Sequence, residues 1–400
     1  MFWFVSIASI CVLCLNGASR LNEVDNPGFA LALNPFNTEA RTNALVTALN
    51  DPGTRDLDGL AQSAQAMIAA APGDARGYSL LGAVRDRAGD QQAALALYSR
   101  ALSQSKTELH ALLRLAELGL KQSDLAGALD RIDLILRRWP YYWDRVQPIL
   151  IAAATSPGSA DLVADKLNSL PPWRGRAISA LSGAPATLSF ARNLIAGAPA
   201  LARAAAGWSR ERDTVVSALA KAKAFGDAYG LFLTGLRQDE AQHVGYVFDS
   251  QFQLPPSGSF FGWRVQRNGA TDLQLGPEGS SGERGLRVRF LDLPARAGIA
   301  AQNLLLPYGH YSIAVTAAAA DLDAPKGLFW RLRCGEGTDL ARIDIPEGSF
   351  ADKSLQASFD VPATGCAVQT LSLDTEVVTD SWRDRYQGEA RFAGIAITRP

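Results

Sequence analysis

Histidine is scarce in this chain of 400 residues. There are three, His110, His243 and His310, and they stand in three different settings. Neither a histidine metal cluster nor a Ser-His-Asp triad is expected on that ground. Neither a G-x-S-x-G elbow nor a phosphate-cradling G-x-x-x-x-G-K-[ST] loop is present. Ser103-Gln-Ser-Lys106 has the S-x-x-K spacing, but it closes a helix without companion motifs and is a chance match. No run of lysine and arginine occurs and the net charge is −1, so nucleic acid is excluded as a partner. No cofactor and no metal site is expected. What is present is an ordinary folded composition, 48% hydrophobic and 20% charged.

The segment 1–19 carries no charged side chain, and its strongly apolar part, 2–15, has about the length of a signal-peptide core. Its n-region lacks the usual basic residue, and cleavage after Ala18 or Ser19 is poorly specified. We expect export by a cleaved signal or an anchor, with a periplasmic protein tethered to the inner membrane. A buried first helix of the array that follows is the alternative. Cysteine usage agrees with export. Cys11 and Cys14 lie in the leader, whereas Cys334 and Cys366 lie on what read as neighbouring strands. A bridge between the latter pair suits an oxidising compartment; two free buried thiols are the other possibility.

The stretch 75–108 reads as two short antiparallel helices. Tyr78, Leu81 and Gly82 form one edge, Gly89-Asp90 breaks the first helix, and Ala94, Tyr98, Ala101 and Leu102 form the facing edge. Small residues at Gly82, Ala94 and Ala101 let two backbones approach, while Tyr78 and Tyr98 fill the space beside them. A second unit, 109–142, repeats the phase with Leu112, Leu115, Ala116, Ala128, Ile132 and Leu136. Pro72 and Pro140 close units two periods apart, and 41–74 fits more loosely upstream. In residue type and order these units resemble the tetratricopeptide repeat, whose period is 34 residues. The resemblance implies an α-solenoid with a concave groove that binds a partner protein. Arg76, Arg85, Arg87 and Arg114 read equally well as a solvated face.

After residue 142 the repeat degrades. Pro171, Pro185 and Pro199 punctuate short helices at 173–183, 186–197 and 200–207, followed by 210–225 and 227–238. From Val244 the period changes to alternation. Strands are expected at 244–252, 262–267, 286–290, 299–306, 311–317, 327–334, 341–345, 355–360, 369–374 and 391–398. The chain therefore divides into a leader at 1–19, an α-solenoid at 28–240 that diverges after 142, and an antiparallel β-sandwich at 244–400, with the boundary near 238–245.

The pieces FGWRV around Trp263, GLRVRF ending at Phe290, QNLLLPYGHYSIAV at 302–315, GLFWRLRC at 327–334 and GEARFAGIAIT at 388–398 occur in order. Together they resemble the jelly-roll carbohydrate-binding modules of the family 4 and 9 type. That resemblance implies a sugar-binding sandwich without catalysis. Aromatic candidates for stacking on a pyranose are Trp263, Trp330, Trp382, Tyr308, Tyr311 and Tyr386. Trp330, in an apolar run, reads as core, and Trp263 is balanced between core and contact. Trp382 and Tyr386 lie in the polar stretch SWRDRYQG, where Arg383, Asp384 and Arg385 could bond hydroxyls. The candidate glycan contacts are thus Trp263, Trp382, Arg383, Asp384 and Tyr386. Arg342-Ile-Asp344-Ile-Pro-Glu347 resembles the E-x-D-x-x-E strand of laminarinase-like enzymes, but an arginine replaces the nucleophile, so no enzyme is expected.

The reading is a non-enzymatic exported adaptor, with repeats on a partner protein and a sandwich on polysaccharide or a second protein. By analogy of parts it resembles components of exopolysaccharide or envelope assembly. A glycan-active enzyme and a purely structural assembly factor are the alternatives.

Overall fold

A computed structural model describes residues 2–266, 268–276, 285–335, 337–377 and 381–400, with side chains from Cys11 onward. The predicted strand at 262–267 therefore ends outside the described residues. Compactness divides the chain into two units, 1–174 and 175–400.

The first unit is helical. Its helices are α1 (Phe2–Leu21), α2 (Pro27–Leu33), α3 (Thr38–Asn50), α4 (Leu57–Ala70), α5 (Ala75–Arg87), α6 (Gln91–Gln104), α7 (Leu109–Lys121), α8 (Leu125–Arg138), α9 (Trp143–Thr155) and α10 (Ser159–Asn168). Helices α4, α6 and α8 begin at an even step, and each follows an aspartate. Asp56, Asp90 and Asp124 accept the backbone N–H of Gly59, Ala93 and Gly127. Such caps satisfy amides that the helix itself leaves open and contribute about 1 kcal/mol each. The turn between α5 and α6 uses Gly89 at φ +85°, and that between α7 and α8 uses Ser123 at φ +62°.

Ala94, Tyr98 and Ala101 of α6 are fully buried with Ala75, Ala111, Leu115 and Leu118, while Tyr78 and Leu102 flank them. Leu81 packs in a neighbouring cluster with Leu45 and Met67, and Ala128 is buried in α8. Pro72 and Pro140 are exposed. Pro72 accepts the Tyr78 hydroxyl on its carbonyl, and Pro140 opens a turn of 3-10 helix.

The membrane tether expected of the N-terminal segment finds no support. Among the described residues no helix is long and apolar enough to cross a membrane. In α1 the side chains of Val12, Leu13, Leu15 and Leu21 are exposed, and near its end one residue is held by polar contacts. Ser19 is buried, its hydroxyl donates to the carbonyl of Ala30 and accepts from the Asn37 amide, and Asn34 donates to Asn16.

The second unit begins with helices α11 (Arg174–Gly183), α12 (Leu188–Ala196), α13 (Ala200–Arg203), α14 (Trp208–Lys221), α15 (Phe225–Thr234) and α16 (Gln238–Ala241). Two antiparallel sheets follow, built from β1 (Arg264–Val265), β2 (Thr271–Leu275), β3 (Leu286–Phe290), β4 (Leu293–Pro294), β5 (Ala300–Leu304), β6 (Gly309–Asp323), β7 (Leu328–Cys334), β8 (Asp339–Asp344), β9 (Gly348–Val361), β10 (Gln369–Thr375) and β11 (Arg385–Thr398). One sheet has the order β1-β5-β10-β7-β8, the other β2-β3-β11-β6-β9, with β4 beside β11. Alternate residues of both sheets close a single core that includes Val288, Val315, Trp330, Leu371 and Phe392.

The segment 244–252, expected as a strand, is a series of turns. Asp249 and Phe252 have positive φ, and the Asp249 carboxylate accepts the N–H groups of Gln253 and Leu254, which commits this backbone to bends. The hydrophobic period changes near 244, yet the helices after 175 belong to the same unit as the sheets. The reason is a set of rings: Phe232 meets Phe248 and Phe261, Tyr229 meets Phe261, and Phe225 stacks on Phe260. The core amide of Gln302 holds the Phe248 backbone through both its oxygen and its nitrogen.

Candidate functional site

Two of the expected glycan contacts are core residues. Trp263 is 2% exposed, donates its indole N–H to the Asp249 carbonyl and packs on Phe252 and Trp330. Tyr386 is fully buried, its hydroxyl donating to the Gly327 carbonyl, and burial pushes that hydroxyl up to about 12. Tyr386 is closed to a ligand and leaves the set of contacts, whereas Trp263, though core, presents an edge to the cavity beside residues 254–258. Strand alternation explains Tyr386: it opens β11 on the face that carries Ala390 and Phe392 inward. Trp330 is core, as expected. Tyr311 is buried with its hydroxyl on the Pro307 carbonyl, and Tyr308 is exposed.

The loop is different. Trp382 is 73% exposed, at the start of a short 3-10 turn over Trp382–Asp384. The Ser381 hydroxyl caps that turn by accepting the Arg383 N–H. The Arg383 guanidinium lies 5.5 Å from the Trp382 ring centre. An exposed indole with a cation and the Asp384 carboxylate within three residues offers one apolar face and both kinds of polar partner.

A second polar group of residues, with Asn303, Ser372 and Asp374 buried, was missed in the sequence. On the side of the β5-β10-β7 strands away from the core stand Asn303, Thr370, Ser372, Asp374, Arg331 and Arg333. They alternate with the inward Gln302, Leu304, Leu371, Leu373, Trp330 and Leu332. Asp374 accepts from the Gly298 N–H at 2.7 Å and the Ser372 hydroxyl at 2.7 Å, with Arg331 and Arg333 about 4 Å away. The alternation in RLRC and QTLSLD was the available signal. Arg342, at the position of the absent nucleophile, bridges Asp344 and Glu376 and lies 3.7 Å over the Phe329 ring. It is locked in place as a structural residue.

Cys334 and Cys366 form a disulfide, closing a loop of 32 residues of sequence separation. Cys11 and Cys14 are free. Among the described residues no cluster of three metal-ligating side chains occurs.

In the first unit, α3, α5 and α7 line a cleft of about 590 Å³. Its cations are engaged. Arg76 pairs with Asp74 and Glu39, and Arg114 with Asp86 and Glu117. Arg87 donates to the carbonyls of Leu49, Asp51 and Thr54 at the end of α3. The Ser79 hydroxyl and His110 Nδ1 share a hydrogen bond of 2.9 Å.

No protein-family model matches the chain, and no curated protein sequence matches it. Similar solved structures include carbohydrate-binding modules and the enzymatically active domain of a bacteriophage CBA120 tailspike protein, the latter 12% identical over 34% of this chain and 19% of its own, at TM-score 0.23. One module of family 4 is 10% identical, over 38% of this chain and 99% of its own, with a TM-score of 0.29. The module TmCBM61, in complex with beta-1,4-galactotriose, is 14% identical over 39% of this chain and 99% of its own, at TM-score 0.26. A module from Cellvibrio mixtus lichenase 5A, in complex with cellotriose, is 15% identical over 34% of this chain and 92% of its own, at TM-score 0.22. At these values the likeness carries no functional argument, which rests on the geometry.

Proposed function

We propose that the protein is an exported, non-enzymatic adaptor whose sandwich binds glycan and whose helical unit, a tetratricopeptide-like solenoid, binds a partner protein. The observation that carries the glycan reading is Trp382, a large ring left in water on a polar turn with Arg383 against it. An indole face covers the apolar face of a sugar ring, and the flanking charges bond its hydroxyls. Export is supported by the Cys334–Cys366 bridge, since such bonds persist in oxidising compartments. The cleft along α3, α5 and α7 supports the partner-protein reading. Envelope or exopolysaccharide assembly is the setting that joins the two.

Glycan-array binding of the full chain and of Trp382→Ala tests the reading. Binding that the substitution abolishes supports it. Absence of binding to any glycan leaves a structural assembly factor, and turnover of a bound glycan would replace the adaptor with an enzyme.

A further inference from the structure

A cavity of about 950 Å³ lies inside the second unit, between α14, the α16 turn and residues 254–258. That is the size of a small-molecule site. Arg212 forms part of its wall although only 1% of the side chain is exposed. Its Nε donates to Asp213 at 2.9 Å, and its Nη1 donates to the Gly235 carbonyl at 3.1 Å and to Glu240 at 3.2 Å. Among the described residues nothing accepts from Nη2.

The acids of the wall are already committed. Asp213 and Glu240 serve Arg212, and Glu240 also accepts the Arg237 N–H at 2.8 Å. Both oxygens of Asp249 are taken by the Gln253 and Leu254 amides, with His243 3.7 Å away. What remains to face the cavity is cationic. Arg210, two residues before Arg212 on α14, also lines the cavity, is exposed and forms no ion pair among the described residues. The start of α14 carries no side-chain cap; the Trp208 N–H is taken by the Ala205 carbonyl, and the helix dipole adds partial positive charge that Glu211 in the first turn offsets in part. The rest of the wall alternates apolar surface, from Phe232, Phe248 and Pro255, with the hydroxyls of Ser217 and Ser257.

We propose that this cavity binds a carboxylated sugar, a hexuronate unit of a polysaccharide, through Arg210 and the free edge of Arg212. A planar monoanion matches a planar guanidinium. A phosphate or sulfate dianion would meet three fixed carboxylates in the same wall, and a neutral sugar would leave Arg212 Nη2 without a charged acceptor. The inference rests on the glycan-binding reading and adds a second place and a ligand charge to it.

The test is calorimetric titration of the full chain with galacturonate and mannuronate trimers, and with neutral galactotriose. At least one uronate should bind more tightly than the neutral trimer. Arg210→Gln should weaken that uronate about tenfold, the scale of a lost charge-assisted hydrogen bond, and Arg210→Lys should restore part of the loss. Ser217→Trp, which fills the cavity from an exposed helix position, should abolish binding. Near-ultraviolet circular dichroism checks that each variant is folded. Equal affinity in Arg210→Gln, or no uronate binding by the unaltered chain, overturns the assignment. Uronate binding that survives both cavity variants and disappears in Trp382→Ala also overturns it, and leaves the loop surface standing.

Discussion

The ring of Tyr98 lies so close against Gly82 that a β-carbon on the glycine would stand 2.8 Å from Cε1. Two helices of one hairpin, α5 and α6, meet there without a side chain on one of them. On an open helix, alanine in place of glycine stabilises by about 1 kcal/mol. Here the sign reverses, because overpacking against a fully buried ring costs about 1–3 kcal/mol. Gly82→Ala is therefore expected to lower the urea midpoint of the helical unit. Gly230→Ala, at a helix position with nothing within 4 Å, should raise or leave unchanged that of the second unit. The same sign for both would remove the close approach as the explanation.

The tryptophans of the sandwich should separate cleanly. Trp382→Ala is expected to shift stability by no more than about 0.5 kcal/mol and to abolish glycan binding. Trp263→Ala and Trp330→Ala should each cost about 3–5 kcal/mol through a cavity in the core. Chemical denaturation alongside binding measures both. A Trp382 variant that unfolds early would make its ring a packing residue.

Replacing Cys334 and Cys366 together by serine should lower the stability of the second unit by about 3–4 kcal/mol, on the chain-entropy estimate for a loop of this length. The oxidised chain in dithiothreitol should move toward the double variant. A midpoint indifferent to reductant would show that the crosslink constrains little of the unfolded chain.

Burial, assisted by Arg114, holds the His110 imidazole below its ordinary range against the opposing pull of Asp86. The unfolded chain then takes the proton more readily, with an ordinary value of about 6.5. The contribution is full above that pH and is lost as pH falls below it toward the folded value. Urea midpoints of the helical unit should fall between pH 7.5 and 5.5, and less steeply in His110→Asn. An equal slope in the variant would assign the loss to other groups.

Local chemistry was legible in the sequence where a few neighbouring residues decide it. Gly82 with Tyr98 and the Gly89 turn each act within one hairpin. The alternation that closes the sandwich was legible for the same reason, since it repeats every second residue along β7 and β10. Residues whose fate depends on distant partners were not. The alternation of Val244, Tyr246 and Phe248 suggests a strand, but Phe248 is turned toward Phe232, a helix residue, and its backbone is held by Gln302. Trp263 is buried because Asp249 offers its carbonyl to the indole. Tyr386 shares a polar stretch with Trp382, yet one lies on a strand and the other on the turn before it.

The rings joining α15 to the segment ahead of β1 bear on how the sandwich can be handled in isolation. A fragment cut at residue 244 would present Phe248, Phe260 and Phe261 to water without Tyr229 and Phe232, and would invite precipitation. Truncation near residue 175 keeps those partners together and is the shorter soluble piece to aim for.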